Sequence, residues 1–191
     1  MAKVVVSQFV TVDGVFEDPG GSESFKHGGW SFQIDRGDEG SAFKLEETMA
    51  TDALLLGRVT YEGFADAWPS RDGDFADRFN SMPKYVVSST LEDPEWNNST
   101  VLEGDLASEV AALKERYERD IVVHGSAQLV QWLIERDLVD ELRLMVYPVV
   151  LGGGKRLFGE TSDKKSFKLV ESKAVGDGGV TVAVYQPAQS S

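Results

Sequence analysis

The chain has 191 residues, 41% of them hydrophobic, which is enough for one substantial core and hardly enough for two. Its 32 acidic and 19 basic residues give a net charge of −13, which argues against a nucleic-acid backbone or an anionic membrane as a partner. Because the chain has no cysteine, disulfides, thiolate catalysis and thiolate metal sites are excluded. We therefore expect one domain over residues 1–187 and a disordered tail at 188–191.

The N-terminal segment does not have the pattern of a signal peptide. Residues Met1–Ser7 hold only a short apolar run, which is typical of a first strand. Elsewhere no stretch approaches the roughly 20 apolar residues that a membrane span needs. We expect a cytoplasmic protein.

The first half of the chain predicts three strands, a long loop and three helices. The run Val4–Val12 is rich in β-branched residues and ends at the turn Asp13-Gly14, so it predicts a strand. Residues 17–35 hold two glycine-rich clusters and predict a long loop, a kind of segment that is usually functional or mobile. The elements that follow are a helix over 38–50, a strand over Ala53–Gly57, a helix over 59–67 ended by Trp68-Pro69, a helix over Phe75–Met82 and a strand over Lys84–Ser88.

The second half alternates in the same way and closes with a hairpin. A short strand at Val101-Leu102 precedes Asp105, which caps a helix whose apolar residues recur on one face. The remaining predicted elements are a strand over Ile121–His124, a helix over Ser126–Glu135, a long strand over Asp140–Leu151, a flexible loop at Gly152–Gly154, and a hairpin of Phe167–Val175 with Val180–Gln186.

Strands that alternate with helices, followed by a hairpin, predict an α/β fold with a mostly parallel sheet and an antiparallel edge. In such sheets, ligands bind beyond the carboxyl ends of the strands. The segments at Gly57, Ser88 and Gly125 all follow predicted strands, so we expect them to meet at this edge.

Two of these segments have the pattern of phosphate-binding turns. In Ile121–Leu129 a strand runs into a Gly-Ser turn that opens a helix, and Ala53–Glu62 repeats the arrangement. Free backbone N–H groups and the positive end of a helix dipole would then point to one place, which suits a phosphate. Two such turns favour a dinucleotide lying across the strand ends. The alternative is that both are ordinary strand-to-helix turns.

These segments resemble the dihydrofolate reductase-like superfamily, and specifically small proteins related to the RibD C-terminal domain, the reductase domain of bacterial riboflavin biosynthesis. The most specific matches are Leu56–Glu62, Val87–Ser89 and Gly125–Leu129, and Leu138–Gly152 also matches closely. The resemblance runs over nearly the whole chain. It implies a three-layer αβα fold that binds NADPH and passes a hydride to a heterocycle.

The resemblance also implies which residues contact NADPH. Gly57, Arg58 and Thr60 would lie beside the phosphates, and Ser88 or Ser89 near the adenosine ribose and its 2′-phosphate. The pyrophosphate would be cradled by the backbone at Gly125, Ser126, Ala127, Gln128 and Leu129. Lys84 and Arg71 are further candidates for the positive charge that a 2′-phosphate needs.

At the reacting end, Val10 would lie near the nicotinamide and Trp30 would cover the cofactor. Asp13 either orients the substrate or fixes its own Asp-Gly turn, and we favour the turn. His124 is either a packed histidine or a proton donor to the reduced substrate, since its ordinary pKa lies near 6.5. No group of His, Asp and Glu has convincing metal spacing.

The resemblance is weaker for the residues of the substrate site than for those of the cofactor site. Phe64 occupies the position of an Asp in the sugar-phosphate site of riboflavin-pathway reductases, and no counterpart of their Arg is found. His124 replaces an acidic residue that touches their pyrimidine. Dihydrofolate reductases keep a carboxylate in the helix before the first turn, where this chain has about Ser41.

We therefore expect an NADPH-dependent reductase of a small heterocyclic or carbonyl substrate, assembled as a homodimer through the apolar strand Leu142–Val150. Two alternatives remain at this point. One is a nucleotide-binding sensor that retains the dinucleotide groove without turnover, which the missing substrate-site residues favour. The other is a plain interaction domain with no dinucleotide affinity.

Overall fold

The computed structural model describes residues 1–188, and all of its named strands belong to one sheet. The strands are β1 (Val4–Thr11), β2 (Thr51–Gly57), β3 (Lys84–Val87), β4 (Ser99–Leu102), β5 (Asp120–Val123), β6 (Glu141–Tyr147), β7 (Phe167–Val175) and β8 (Val180–Pro187). Their order across the sheet is β4-β3-β2-β5-β1-β6-β8-β7. Strands β1 to β6 pair in parallel, and the hairpin β7–β8 adds the antiparallel edge. The predicted α/β sheet is confirmed.

Five α-helices in the described part cover the two faces of this sheet. They are α1 (Gly37–Ala50), α2 (Arg58–Ala67), α3 (Asp74–Ser81), α4 (Leu106–Arg116) and α5 (Ala127–Glu135). Apolar residues of α2 and α3 pack on one face, where α1 also lies, and those of α4 and α5 pack on the other. This is the predicted three-layer arrangement.

Strand β2 shows why the sequence folds into these layers. Ala53 and Leu55 point to the face covered by α4 and α5, whereas Leu54 and Leu56 point to the face covered by α2 and α3. All four side chains are at most 1% exposed. Burial of each leucine contributes about 1.5–3 kcal/mol. A continuous apolar run is what a strand buried on both faces requires.

The connections place a topological switch point between β5 and β1. From β1 the chain passes through α1 to β2, which lies beyond β5 in the sheet. From β5 it passes through α5 to β6, on the opposite side of β1. The two crossovers leave in opposite directions, and the crevice that forms between such strands at their carboxyl ends is the usual place for a ligand in α/β sheets.

Strand β6 differs from its prediction. The strand stops at Tyr147, and not at Leu151, because Pro148 has no backbone N–H to continue the ladder. It pairs with β1 on one side and β8 on the other, and most of its side chains are buried. The expectation that Leu142–Val150 supplies a dimer surface is therefore wrong, because this strand lies inside the sheet.

The long loop over residues 17–35 is organised by one buried carboxylate. Asp18 is 2% exposed, and its oxygens accept backbone N–H groups from Ser22, Glu23 and Phe25 at 2.7 to 3.2 Å. A single 3-10 turn at Trp30–Phe32 is the only regular element of this loop in the structure. The predicted loop is confirmed, and its backbone is closely tied.

The C-terminal end is described up to Ala188, whose backbone N–H donates to the Ser166 carbonyl at 2.8 Å. The rest of the predicted tail, residues 189–191, lies outside the described residues. Within the described part, the helices are too short or too polar to cross a membrane.

Candidate active site

The two predicted phosphate turns are bonded directly to each other through Ser126. The Gly57 N–H donates to the Ser126 hydroxyl at 2.9 Å, and the Ser126 N–H donates to the Thr60 hydroxyl at 2.8 Å. The Ser126 hydroxyl in turn donates to the His124 carbonyl at 2.8 Å. The structure therefore brings the ends of β2 and β5 into one continuous surface, as the sequence predicted.

The turn at Gly125-Ser126 has two successive residues in the left-handed region. Gly125 has φ = 52° and Ser126 has φ = 58°. Glycine is required at the first position for a second reason also. A Cβ there would lie 2.6 Å from Oγ1 and 2.9 Å from Cγ2 of Thr60, which is too close for any real contact. This packing explains why the strand-to-helix turn is so tight.

Beyond this turn, α5 presents free backbone donors. The N–H groups of Ala127, Gln128 and Leu129 belong to the first turn of the helix, which has no intrahelical acceptor for them. The Ser126 side chain does not cap them, because it is used on Gly57 and His124. The side chain of Leu129 itself is buried in the core. At these positions the backbone, and not the side chains, would face a bound anion.

The first turns of α2 and α5 differ in charge from those of the other helices. Of the five α-helices described, α1, α3 and α4 carry acidic residues in their first turns, and α2 and α5 carry none. Acidic residues normally stabilise a helix N-terminus. In a chain with a net charge of −13, keeping them from α2 and α5 leaves both positive helix ends available to an external anion.

A residue that the sequence did not single out, Gln8, holds the Gly125 turn in place. Its side-chain amide accepts the Gly125 N–H at 3.0 Å and donates to the Gly125 carbonyl at 2.9 Å. A longer contact of 3.4 Å joins it to the Val123 carbonyl. Gln8 is 5% exposed on β1, where a polar residue interrupts an apolar strand. A polar residue within an apolar strand was the sequence signal that could have indicated the role of Gln8.

We expect Gln8→Leu to weaken both the fold and the phosphate turn. The change leaves the Gly125 N–H and carbonyl without their partner, and an unsatisfied buried polar group costs about 1–3 kcal/mol. Urea unfolding measures the loss of stability, and nucleotide titration measures the loss of affinity. Gln33→Leu, at an exposed position of the long loop, is the matched control. Equal affinity in wild type and Gln8→Leu would show that the clamp does not shape a binding surface.

The side chains predicted near the phosphates are placed at the rim of this surface. Arg58 is half-exposed and pairs with Glu62 at 2.9 Å, one helical turn along α2. The Ser88 hydroxyl accepts the N–H groups of Thr90 and Leu91 at 3.1 and 3.0 Å, while its own proton remains able to donate. Ser89 is exposed beside it. All of these follow the carboxyl ends of β2 and β3.

The two other basic candidates are engaged elsewhere. The Lys84 side chain points into the core, where its ammonium donates to the Asn97 carbonyl at 2.9 Å and lies 4.1 Å from the centroid of the Trp96 ring. Burial lowers the pKa of Lys84 to about 8. Arg71 stacks on Trp68 with 4.4 Å to the ring centroid. Lys84 is therefore a buried structural cation.

At the reacting end, two predicted residues, Val10 and Trp30, do not present side chains to the crevice. Val10 is 4% exposed and belongs to the core on the α4 and α5 face. Trp30 is 2% exposed, its ring lies 5.3 Å from that of Tyr147, and its indole N–H donates to the Glu17 carbonyl at 2.8 Å. The Trp30 ring thus has almost no surface to offer a ligand in this conformation.

Asp13 has the turn-fixing geometry that the sequence favoured. Its carboxylate accepts the Thr11 hydroxyl at 2.6 Å and the backbone N–H groups of Leu151 and Gly152 at 3.3 and 2.9 Å. The bond from Thr11, with those from the backbone, holds the pKa of Asp13 below its ordinary value. The predicted glycine loop at residues 152–154 is tied to the first strand by these contacts.

His124 directly follows the carboxyl end of β5, at the switch point beside β1. Its ring Nδ1 is 3.0 Å from the Ser7 carbonyl of β1, and the rings of Phe79 and Phe64 lie 5.8 and 6.4 Å away on α3 and α2. Burial of the ring, with the nearby Lys44 ammonium, lowers the pKa of His124 to about 4. The imidazole is therefore neutral at pH 7, which weighs against the predicted role as an imidazolium proton donor.

A buried carboxylate of α1 lies beside His124. The sequence placed about Ser41, which has no carboxylate, at the position of the acidic residue of dihydrofolate reductases. Ser41 is exposed, and the carboxylate belongs to Glu47, two turns along the helix. Glu47 accepts the Ser7 hydroxyl at 2.9 Å and forms an ion pair with Lys44. Burial alone would raise the pKa of Glu47, but the positive groups around it, Lys44 first among them, together outweigh burial and the pKa is lowered. Polar residues on the buried face of α1 were the missed signal.

Two surface cavities lie outside this crevice. One of about 480 Å³ lies between β4 and α4, and one of about 620 Å³ lies beside Trp96. None of their lining residues is a predicted cofactor residue. The described residues also contain no cluster of three or more His, Asp or Glu side chains that could hold a metal ion.

Comparison with solved structures gives the fold class of this chain. The chain has a dihydrofolate reductase-like α/β fold: a structure of dihydrofolate reductase from Enterococcus faecalis complexed with NADP(H) matches 97% of this chain and 96% of its own, with TM-score 0.60 and 16% identity. A putative riboflavin biosynthesis protein from Shewanella sp. PV-4 matches 98% of this chain and 99% of its own, with TM-score 0.78 and 21% identity.

The sequence comparison then defines the family. The model of the RibD C-terminal domain matches residues 2–181, so the chain belongs to the RibD C-terminal domain family. The uncharacterized protein YyaP of Bacillus subtilis is similar over 188 residues, with 28% identity, 96% of this chain and 94% of that protein. The resemblance stated from the sequence is confirmed.

Proposed function

We propose that this protein is an NADPH-dependent reductase that transfers a hydride to a small heterocyclic or carbonyl substrate. The observation that carries the proposal is the pair of helix N-termini, α2 and α5, joined through Ser126 at the topological switch point and free of acidic residues. Family membership and the NADP(H) complex of the matched dihydrofolate reductase support it.

The residues present fit a dinucleotide phosphate. The N–H groups of Ala127, Gln128 and Leu129 would hold the pyrophosphate, together with Thr60 at the start of α2. Gly57, whose N–H is bonded to Ser126, would lie beside the phosphate without donating to it. Arg58, Ser88 and Ser89 would contact the outer phosphates and the adenosine ribose. Val10 and Trp30 would act near the nicotinamide only through backbone contacts or after a local movement, since both side chains are buried. When bound, NADPH supplies the hydride.

The substrate would lie between α1 and α2, above β1 and β5. Half-exposed Phe9 and Phe64 supply apolar walls, and neutral His124 lies at the carboxyl end of β5. Lys44 and Arg36 lie 5.7 and 5.4 Å from the centroid of the Phe9 ring. Because the His124 imidazole is neutral at pH 7, we infer that water protonates the reduced substrate.

The proposal is tested by titrating the protein with NADPH and NADH, followed by tryptophan fluorescence. Oxidation of NADPH is then measured with a panel of pterins, pyrimidines and quinones. We expect NADPH to bind more tightly than NADH and to be oxidised by at least one heterocycle or quinone. If neither nucleotide binds, the proposed function is wrong and the plain interaction domain becomes the better interpretation.

A nucleotide sensor without turnover is the second candidate function. One observation favours it: the carboxylate of α1 is already paired with Lys44 and bonded to Ser7, so it is not free to hold a substrate. Tight NADPH binding without oxidation by any acceptor of the panel would support the sensor over the reductase.

We expect Arg58→Ala to lower NADPH affinity by about tenfold or more, since a hydrogen bond to a charged group is worth about 1.5–3 kcal/mol. Its exposed pair with Glu62 should add only about 0.3–0.5 kcal/mol to stability, so the fold should be unaffected. The control is Arg119→Ala, which breaks a half-exposed pair with Asp52 at the amino ends of β2 and β5. Equal losses of affinity in both variants would contradict a phosphate contact at Arg58.

We also propose a cytoplasmic homodimer built from a single domain over residues 1–187. Since β6 has no free edge, the dimer must use another surface. Light scattering coupled to size-exclusion chromatography tests the dimer, and limited proteolysis tests whether residues 1–187 resist cleavage as one unit.

A further inference from the structure

Strands β1 and β5 separate at the point where the crevice begins. Their parallel ladder ends at the pair Val6–Val123. Beyond it, the Ser7 carbonyl has no backbone partner on the β5 side and is met by the His124 side chain, with 3.0 Å between the Ser7 oxygen and Nδ1. The imidazole therefore bridges the two strands where they diverge.

This contact determines the tautomer of His124. A carbonyl oxygen only accepts hydrogen bonds, so Nδ1 must carry the proton and donate it. In a neutral imidazole the other nitrogen, Nε2, is then an acceptor with a free lone pair. The pKa of about 4 described above keeps the ring in this neutral form at physiological pH.

Nε2 has no hydrogen-bond partner in the part of the chain that the structure describes. It makes no hydrogen bond to any residue from 1 to 188, and it is not among the buried polar atoms that lack a partner, which are Glu47 Oε1, Thr48 Oγ1 and Ser99 Oγ. His124 as a whole is only partly buried. An acceptor that is not fully buried and has no partner in the described chain is available to a ligand.

The charged groups around the His124 ring favour its neutral form, in which Nε2 is a hydrogen-bond acceptor. Lys44 and Glu47 face it from α1, and Arg143 faces it from β6. Glu47 is paired with Lys44 and lies 3.6 Å from Arg143, so its negative charge is balanced locally. On the α2 and α3 side the ring meets only Phe64 and Phe79. No carboxylate in the described chain accepts a hydrogen bond from the ring, and the effect of Glu47, which raises the pKa of His124, is outweighed by burial and Lys44.

We propose that His124 is the specificity-determining residue of the substrate site, and that its Nε2 accepts a hydrogen bond from a ring N–H of the compound that receives the hydride. This rests on the proposed function. It narrows the substrate class to neutral heterocycles that carry a ring N–H, in preference to carbonyl compounds without one. A site built to pair a substrate donor discriminates strongly against an analogue that leaves it unpaired.

The tautomer can be tested without any turnover. The chain has two histidines, His124 and His27, so long-range ¹H–¹⁵N spectra of the labelled protein contain two ring systems, which His27→Gln assigns. We expect His124 to show a protonated Nδ1 and a bare Nε2 from pH 8 to pH 5. Addition of 7,8-dihydropterin with NADP⁺ should shift Nε2, and 1,4-naphthoquinone should not. A protonated Nε2, or no shift with the pterin, would overturn the proposal even if NADPH is oxidised.

Two variants separate ligand recognition from the structural bond to Ser7. His124→Asn keeps a donor near the Nδ1 position and removes the Nε2 acceptor, whereas His124→Gln places an amide oxygen near Nε2. We expect His124→Asn to retain NADPH affinity and to lose at least tenfold in kcat/KM for 7,8-dihydropterin, with little change for 1,4-naphthoquinone, and His124→Gln to recover part of the loss. Equal losses for both acceptors would refute a specificity role. Absence of oxidation by any acceptor in the wild type would refute the proposed function instead, and the spectra would still decide the tautomer.

Discussion

Gly125→Val is expected to abolish NADPH binding and to destabilise the fold. The new Cβ would lie 2.6 Å from the Thr60 hydroxyl, which accepts the Ser126 N–H, so Thr60 must shift and one of the two bonds that join the turns is weakened. The residue also has φ = 52°, a conformation that β-branched side chains rarely adopt, and such strain costs about 1–3 kcal/mol. The N–H groups at the start of α5 would then point away from their present positions.

Urea unfolding and a fluorescence titration with NADPH measure the two effects of this substitution. Gly63→Ala is the matched control, because a Cβ at Gly63 on α2 meets nothing within 4 Å. That change should stabilise the helix by about 0.5–1 kcal/mol and leave affinity unchanged. If Gly125→Val bound NADPH as tightly as the wild type, the assignment of the pyrophosphate to this turn would be wrong.

Glu47→Gln is expected to have the largest effect on stability. Glu47 is 5% exposed, and its carboxylate balances Lys44 and Arg143 beneath α1. Removing one partner of a buried ion pair costs about 3–5 kcal/mol, because the other charge stays buried without compensation. Replacing both partners, as in Lys44→Met with Glu47→Leu, should restore most of this loss for the same reason.

The pH dependence of unfolding gives an independent check. The folded pKa of Glu47 lies below 4.5, so its contribution is present above about pH 4.5 and is lost as the pH falls through the folded pKa. The folded pKa of His124 is about 4 against 6.5 for an unperturbed histidine, so its contribution is lost between those values as the pH falls. Both effects make the wild type less stable in acid.

Glu47→Gln should therefore have a flatter stability curve below pH 4.5 than the wild type, in denaturant melts at a series of pH values. Glu46→Gln, on the exposed side of the same helix, should leave the curve unchanged. A variant curve parallel to that of the wild type throughout the acid range would show that Glu47 does not titrate as a buried paired carboxylate.

Local sequence patterns predicted most of the elements and the two strand-to-helix turns at Gly57 and Gly125. Asp105, for example, was predicted to cap a helix, and its carboxylate accepts the Ser108 N–H at 3.0 Å at the start of α4. The strand–glycine–helix patterns at Gly57 and Gly125 also hold, because backbone geometry at a tight turn depends on a few consecutive residues. The error at β6 came from extending an apolar run through Pro148, which cannot donate to the ladder.

The substrate side depended on contacts between residues far apart in the chain. Gln8 meets Gly125 across 117 positions, and Ser7 meets Glu47 across 40. No periodicity within β1 or α1 shows which partner a buried polar side chain will find. The sequence by itself therefore determined the order of the elements, the family and the two strand-to-helix turns that are proposed to bind phosphate. Only the tertiary structure decided that Trp30 is buried, that Glu47 is paired and that His124 is a neutral acceptor, because these depend on burial and on hydrogen bonds formed when distant elements pack.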